Sequence, residues 1–348
     1  MEIDVAKLNT AVDLLQPGIG KGAFSLSDNL FILNKKFITF NGNIFVMFPT
    51  KLELTGMVNY SAFNALVKNI SESIETINIE QNKDKIIVSS NKTKKTKLQI
   101  TFNTIESDNE AITSILKTIK KQEFIKFDAE LKTKIMLASF CASADYTQPE
   151  RTGVFVTGKH VICASDFRFI YFKHKSKIDS FLLPATSAFH LNKYNIVEYS
   201  IHKNWLFCKT KEGVVIGFIL LPVNSYTKTE EVALKYVSEI KTKDVEKFPK
   251  GLNSIIKRSL IFLKDTFELD KRINLIFTKK QITVYIKNEF AEFKESMDCS
   301  LKTLSKELTI TINPLFLIEA LKHSTSFKIQ QNKMIILSED FLHFINLS

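Results

Sequence analysis

The side chains in this sequence best suited to chemistry are its cations. Lys and Arg number 48 against 37 Asp and Glu, a formal net charge of +11 at pH 7 over 348 residues. Lys7, Lys68, Lys132, Lys134, Lys193, Lys257, Arg258, Lys264 and Lys322 fall on or beside the polar side of segments with helical periodicity. Cations so arranged neutralise phosphates and release condensed counterions, with a log–log salt slope of about −0.9 for each phosphate engaged. Phosphate contacts carry no base information, so they suit a surface that holds a nucleic acid without reading it. The same residues also fit ordinary solvated helix faces, and Asp13, Glu130 and Glu319 make those faces mixed in sign.

Other chemistries lack their residues. Cys141, Cys163, Cys208 and Cys299 include no Cys-x-x-Cys pair and have no histidine at ligand spacing, so neither a zinc site nor a disulfide framework is expected. The histidines are scattered, and Glu230-Glu231 lies in a charged stretch. No Gly-x-Gly-x-x-Gly, Walker loop, His-Glu-x-x-His or Gly-x-Ser-x-Gly occurs, so the chain reads as a non-enzyme without a cofactor. A sequence-specific DNA binder would cluster base-reading side chains on one recognition helix, and none stands out. There is no basic n-region leading into an apolar core and no run apolar enough to span a membrane, so the expected location is the cytoplasm.

The elements that must position the cations repeat along the chain. One apolar stripe at helical spacing runs through Val5, Leu8, Val12 and Leu15, and a second through Leu131, Ile135, Ala138 and Ala142. A third runs through Leu252, Ile255, Ile256, Ser259, Leu260 and Leu263. A second helix series covers Tyr60–Ile70, Thr186–Asn195 and Asn313–His323, where Asn313 suits the N-cap and Pro314 the first helical position. Both series return with a period of about 120 residues. Behind each second helix comes a three-strand meander. The first is Thr76–Gln81, Lys85–Ser90 and Leu98–Phe102; the second Glu198–Lys203, Trp205–Thr210 and Val214–Ile219; the third Ser326–Gln331, Met334–Glu339 and Phe341–Asn346. Short strands such as Gly153–Thr157, His160–Ala164 and Ile273–Phe277 follow the first helices. The expected fold is therefore α+β, in three tandem domains that each pack two helices on two antiparallel sheets. Charged stretches at Thr118–Gln122 and Lys241–Lys247 divide the chain into 1–119, 120–243 and 244–348, with an extra helix expected over Thr229–Ile240.

Three segments carry a family resemblance. Tyr146-Thr147-Gln148-Pro149-Glu150-Arg151-Thr152-Gly153-Val154-Phe155, followed by Cys163-Ala164-Ser165-Asp166-Phe167-Arg168-Phe169, is similar to the second-domain stretch of bacterial DNA sliding clamps, the beta subunit of DNA polymerase III. Phe248-Pro249-Lys250-Gly251-Leu252 and Ile312-Asn313-Pro314-Leu315-Phe316-Leu317 resemble third-domain segments, most like those of phage-encoded members. Ser165 stands for the family's Thr, Phe169 for its Leu, and one residue of its Gly-His pair is missing. The family's Met-Pro-rich C-terminal end is also absent, and the chain is basic where family members are generally acidic.

The resemblance implies a head-to-tail homodimer that closes as a ring around duplex DNA, tethers polymerase and other clients through short peptide motifs, and is placed by a clamp loader. The family's client-peptide pocket maps onto Ser165, Phe167, Arg168, Phe169, Asn313, Phe316, Phe344, Ile345 and Leu347. Its dimer contacts map onto Leu98 and Ile100 against Ile261 and Phe262, and Lys21 matches a basic loop residue that reaches toward DNA. The apolar members of these sets also fit plain core packing. A different class of function, a non-catalytic structural or assembly protein built on the same repeats, stays open at this point.

Overall fold

A computed structural model describes residues 2–20, 28–70, 74–82, 85–89, 99–103, 110–223, 226–240 and 244–347. The first third forms β1 (Glu2–Asp4), α1 (Val5–Leu15), β2 (Asn29–Ile32), β3 (Lys36–Phe40), β4 (Ile44–Pro49), β5 (Gly56–Asn59), α2 (Tyr60–Lys68), β6 (Thr76–Asn82), β7 (Lys85–Ser89), β8 (Gln99–Asn103) and α3 (Glu110–Lys120). There follow β9 (Ile125–Lys126), α4 (Ala129–Ser139), β10 (Gly153–Val156), β11 (His160–Ala164), β12 (Arg168–Lys173), β13 (Phe181–Pro184), α5 (Ala185–Ala188), β14 (Ile196–His202), β15 (Trp205–Thr210), β16 (Val215–Ile219) and α6 (Thr227–Glu239). The last third forms β17 (Glu246–Lys247), α7 (Leu252–Ser259), β18 (Ile273–Phe277), β19 (Gln281–Lys287), β20 (Glu292–Asp298), β21 (Leu308–Ile312), α8 (Pro314–Leu321), β22 (Ser326–Gln330), β23 (Lys333–Leu337) and β24 (Phe341–Asn346).

Local chemistry sets the helix starts. Asp4, Asn59 and Asn313 each turn a side-chain oxygen onto an N–H of the first turn of α1, α2 and α8, satisfying one donor that a helix N-terminus leaves open. Val5, Leu8, Val12 and Leu15 are all buried, as their spacing requires. The Thr186–Asn195 segment departs from expectation. It holds only the end of the short α5, then a 3-10 stretch over Phe189–Lys193. The charged stretch at Thr118–Gln122, expected as a domain boundary, is partly helical. It contains the end of α3, an amphipathic helix that buries Ile112 and Ile115.

The strands assemble by a rule that adjacent sequence does not reveal. Two sheets have eight strands, in the orders β5-β2-β3-β4-β16-β15-β14-β9 and β13-β10-β11-β12-β24-β23-β22-β17. Each joins the strands that follow one repeat's first helix to the meander of the next repeat. The joins are antiparallel, β4 to β16 and β12 to β24. Two four-stranded sheets remain, β20-β19-β18-β21 and β1-β6-β7-β8. Each matches one half of an eight-stranded sheet. The strands that correspond to the joining strands are β20 and β8, and among the described residues each pairs on one side only.

The chain separates into two compact units, one of residues 1–136 with 186–221 and the other of residues 137–185 with 222–348. Each eight-stranded sheet lies wholly within one unit. In the first, the turn after α1 is fixed by Thr39, whose hydroxyl donates to the Leu15 carbonyl at 2.7 Å. Gly18 sits against this residue, and a Cβ there would lie 2.8 Å from the Thr39 carbonyl oxygen. Gly18→Ala should therefore destabilise the protein by roughly 1–3 kcal/mol through overpacking, read as a lower urea midpoint at constant slope.

Candidate nucleic-acid and client interfaces

The helical cations divide by what holds them. Lys68 pairs with Asp13 at 2.7 Å, Lys322 with Glu319 at 2.7 Å, and Arg258 grips Glu295 through two contacts, one of them Nε to Oε2 at 3.0 Å. Lys134 is buried and pairs with Glu130 at 2.6 Å, so it does not belong on a DNA-facing surface. Lys132 donates to the Tyr194 carbonyl at 3.0 Å, and Lys193 to Gln16 Oε1 at 2.8 Å. Lys7, Lys257 and Lys264 are exposed and have no acidic partner among the described residues. The i,i+4 and i,i+3 pairs of Lys134 and Lys322 were visible as sequence spacings. The Asp13 and Glu295 pairings depend on chain reversal and were not. Lys21 lies outside the described residues.

The residues mapped to a client pocket lie within the second unit and meet where β12 pairs with β24. Arg168 lies opposite Ile345 and Phe169 opposite Phe344. Because side chains alternate along a strand, these pairs belong to opposite faces of the sheet. On the helix-bearing face, the Arg168 guanidinium stands 4.1 Å over the Phe316 ring and donates to the Phe140 carbonyl. Phe167, 39% exposed, lies 6.4 Å from the Phe316 ring centre. The turn into β12 is closed by the Ser165 N–H donating to the Arg168 carbonyl at 2.8 Å. Asn313 is committed elsewhere. Its oxygen caps α8, and its amide donates to the Glu268 carbonyl at 2.8 Å. Ile345 and Leu347 are buried.

On the other face, Phe344 clusters with Ile335 and Leu337, and half-buried Phe169, Leu342, Ile240 and Val245 pack against them. Ile240 and Val245 were not read as site residues, since they flank a charged segment with no periodic signal. The equivalent face of the first unit is sealed. There Phe45 lies opposite Gly217, and Ile112, Ile115, Leu116 and Ile119 of α3 close over Phe31, Ile38, Phe45 and Phe207. In the second unit α6 meets the corresponding face along a different line. His160 Nε2 contacts Glu230 Oε1 at 2.7 Å and the Phe155 ring packs on Tyr226 with centres 4.6 Å apart, which ties the start of α6 to β10 and β11, while the Lys333 ammonium of β23 stands 4.4 Å over the Tyr236 ring near its end. The first face is thus closed by the apolar side of α3, whereas Ile240 and Val245, just beyond α6, pack on the β23–β24 part of the second.

The positions mapped to dimer contacts also separate. Ile261 is 72% exposed. Phe262 instead packs on Phe293 of its own chain, with ring centres 5.3 Å apart. Leu98 lies outside the described residues, and Ile100 lies opposite Val88 in the edge strand β8. Burial pushes the Cys163 and Cys208 thiols well above their ordinary range, which leaves them protonated and unreactive.

No protein-family model and no curated protein matches this chain. Solved structures do. The beta chain of DNA polymerase III from Streptococcus pneumoniae superposes with a TM-score of 0.75 at 18% identity, covering 100% of this chain and 98% of that one. The beta subunit from Thermotoga maritima gives 0.73 at 13% identity, with the same coverage. A sliding clamp from Pseudomonas aeruginosa bound to griselimycin gives 0.76 at 13%, again covering 100% and 98%. The chain has the DNA sliding-clamp fold from end to end.

His343 lies opposite Ile170, on the same face as Arg168, and is fully buried, with neither ring nitrogen hydrogen-bonded among the described residues. Burial, then the Arg168 and His323 charges, hold its pKa down to about 3. As pH falls, the unfolded chain takes up this proton first. The stability contributed by keeping His343 neutral is complete above about pH 6.5 and is lost as pH falls toward the folded value. His343→Leu should make the acid limb shallower by up to about 1.4 kcal/mol per pH unit between about pH 6 and 4, measured by urea unfolding. An unchanged slope would contradict the buried neutral state.

Proposed function

We propose that this chain is a DNA sliding clamp, a processivity factor with no catalytic centre of its own. Two copies join head to tail into a ring around duplex DNA, each built of domains 1–119, 120–243 and 244–348. The observation that carries this reading is the pair of half-sheets. Two joins of one kind are already made inside the chain, and the halves of a third lie at β20 and β8. One chain's β20 half and another's β8 half are unlike surfaces, and unlike surfaces that pair head to tail close into a ring when the rotation permits. The full-length likeness to beta subunits of DNA polymerase III supports the same reading.

Lys7, Lys257 and Lys264 are the exposed cations best placed to meet phosphates, with Lys132 and Lys193 reaching them by releasing neutral partners. The client groove is the apolar cluster of Phe169, Leu342, Phe344, Ile240 and Val245, with Phe167, Arg168 and Phe316 around the strand end. An apolar groove of this sort takes a short peptide with aliphatic or aromatic anchors. The partners are therefore duplex DNA without sequence preference, a replicative polymerase with other clients, a clamp loader and a second copy, in the cytoplasm of the cell where that polymerase works.

Retention on DNA tests the topology. With loading machinery supplied, the protein should stay on closed circular DNA and run off linear DNA of the same length. Equal dissociation from both would contradict encirclement. Phe169→Ala combined with Val245→Ala should weaken polymerase binding at least tenfold, about 1.4 kcal/mol, while DNA retention persists. Undiminished polymerase binding would place the client site elsewhere.

A further inference from the structure

The joins inside the chain are alike in detail, and their common geometry specifies the third. Each joining strand of the first kind begins after a four-residue turn, closed by the N–H of Asn41, Ser165 or Asn288 donating to the carbonyl of Ile44, Arg168 or Ala291, at 3.2, 2.8 and 3.0 Å. The third residue of the turn is Asn43, Phe167 or Phe290. In both existing joins its carbonyl accepts a hydrogen bond from the neighbouring strand, from the Ile219 N–H at 3.0 Å and the Asn346 N–H at 2.9 Å. The next residues then pair, Ile44 with Phe218 and Arg168 with Ile345. Within the meanders, Ile219 lies opposite Trp205 and Asn346 opposite Lys333; the same position in the first meander is Asn103, opposite Lys85.

The Phe290 N–H donates to Asn288 Oδ1 at 3.0 Å, while its ring projects from the turn. Phe290 is 92% exposed, whereas its counterpart Phe167 rests against Phe316 of α8. Phe316 is the third residue after the capping Asn313, and the third after the capping Asn59 of α2 is Ala62, small and exposed. The Phe262 carbonyl accepts from Asn288 at 3.1 Å, which fixes the turn that presents Phe290, and neighbouring Ile261 is exposed as well. Charge is complementary too. β20 carries Glu292 and Asp298 beside a Glu295 already paired with Arg258, against one Lys294, whereas the sequence just before β8 holds Lys92, Lys94, Lys95 and Lys97.

We propose that Phe290 anchors the contact between two copies. β20 of one copy pairs antiparallel with β8 of the next, Ala291 opposite the partner's Phe102, Phe293 opposite the partner's Ile100 and Lys294 opposite the partner's Gln99. The Phe290 carbonyl accepts from the partner's Asn103 N–H, and its ring covers the partner's α2 at Ala62. This rests on the clamp reading and adds to it a register and an anchor residue.

Cross-linking of the full chain reads the register. Opposed residues in an antiparallel pair stand about 4.5–5.5 Å apart at Cα, within the span of a disulfide, and a two-residue offset exceeds it. In a Cys299→Ser background, Lys294→Cys with Gln99→Cys should oxidise to a covalent dimer, whereas Lys294→Cys with Thr101→Cys should not. The reverse result, in a protein that is dimeric by size, would overturn the register and leave the clamp reading intact. A protein monomeric at every concentration would overturn both. Phe290→Ser, at a fully exposed site, should raise the dimer dissociation constant at least tenfold, and an unchanged constant would remove Phe290 as the anchor.

Discussion

A strand at the edge of a sheet presents a row of unpaired N–H and C=O groups, and the disposal of these edges governs the whole of this fold. Left open, a long edge invites indiscriminate pairing. Inside the chain the problem is solved twice in one way. β4 meets β16 and β12 meets β24, so that four-stranded halves merge into eight-stranded sheets. The merged sheets, rather than the sequence repeats, define the compact units, which is why residues 137–185 belong with the C-terminal part of the chain and residues 186–221 with the N-terminal part. The edges at β8 and β20 keep one neighbour each among the described residues, and their pairing between two copies is the proposed answer to the same constraint.

The helices carry cations, but the fold ties up many of them. Lys68, Lys134, Arg258 and Lys322 face carboxylates of the same chain. Surface pairs of this sort are worth about 0–1 kcal/mol each and exchange readily for other partners, so the exposed ones still contribute to a diffuse field. Beyond these pairs the chain keeps a surplus of +11. A field of that kind attracts a polyanion without fixing its register, the condition for sliding.

Much of this was legible in the sequence, and the parts that were not share a physical cause. The meanders were readable because turn residues such as Asn332 and Gly213 punctuate alternating strands, and observed strands such as Trp205–Thr210 and Phe341–Asn346 match the sequence pattern. Asn313 and Pro314 announced the start of α8, and the helix expected over Thr229–Ile240 runs from Thr227 to Glu239. By contrast, α3 was hidden by the lysines that end it, which read as a charged boundary. The merging of half-sheets was invisible because strand partners distant in sequence leave no local trace. In the candidate site, the cluster at the β12–β24 join was foreshadowed by resemblance. The division of Phe169 and Phe344 from Arg168 and Ile345 between two faces follows only from their register, and Asn313 proved to be a cap.

Closure of two copies into a ring is tested most directly by electron microscopy of the purified protein. Class averages should show closed, two-fold symmetric rings with one central opening and three lobes contributed by each copy. Solid particles, open filaments or single crescents at every concentration would contradict it.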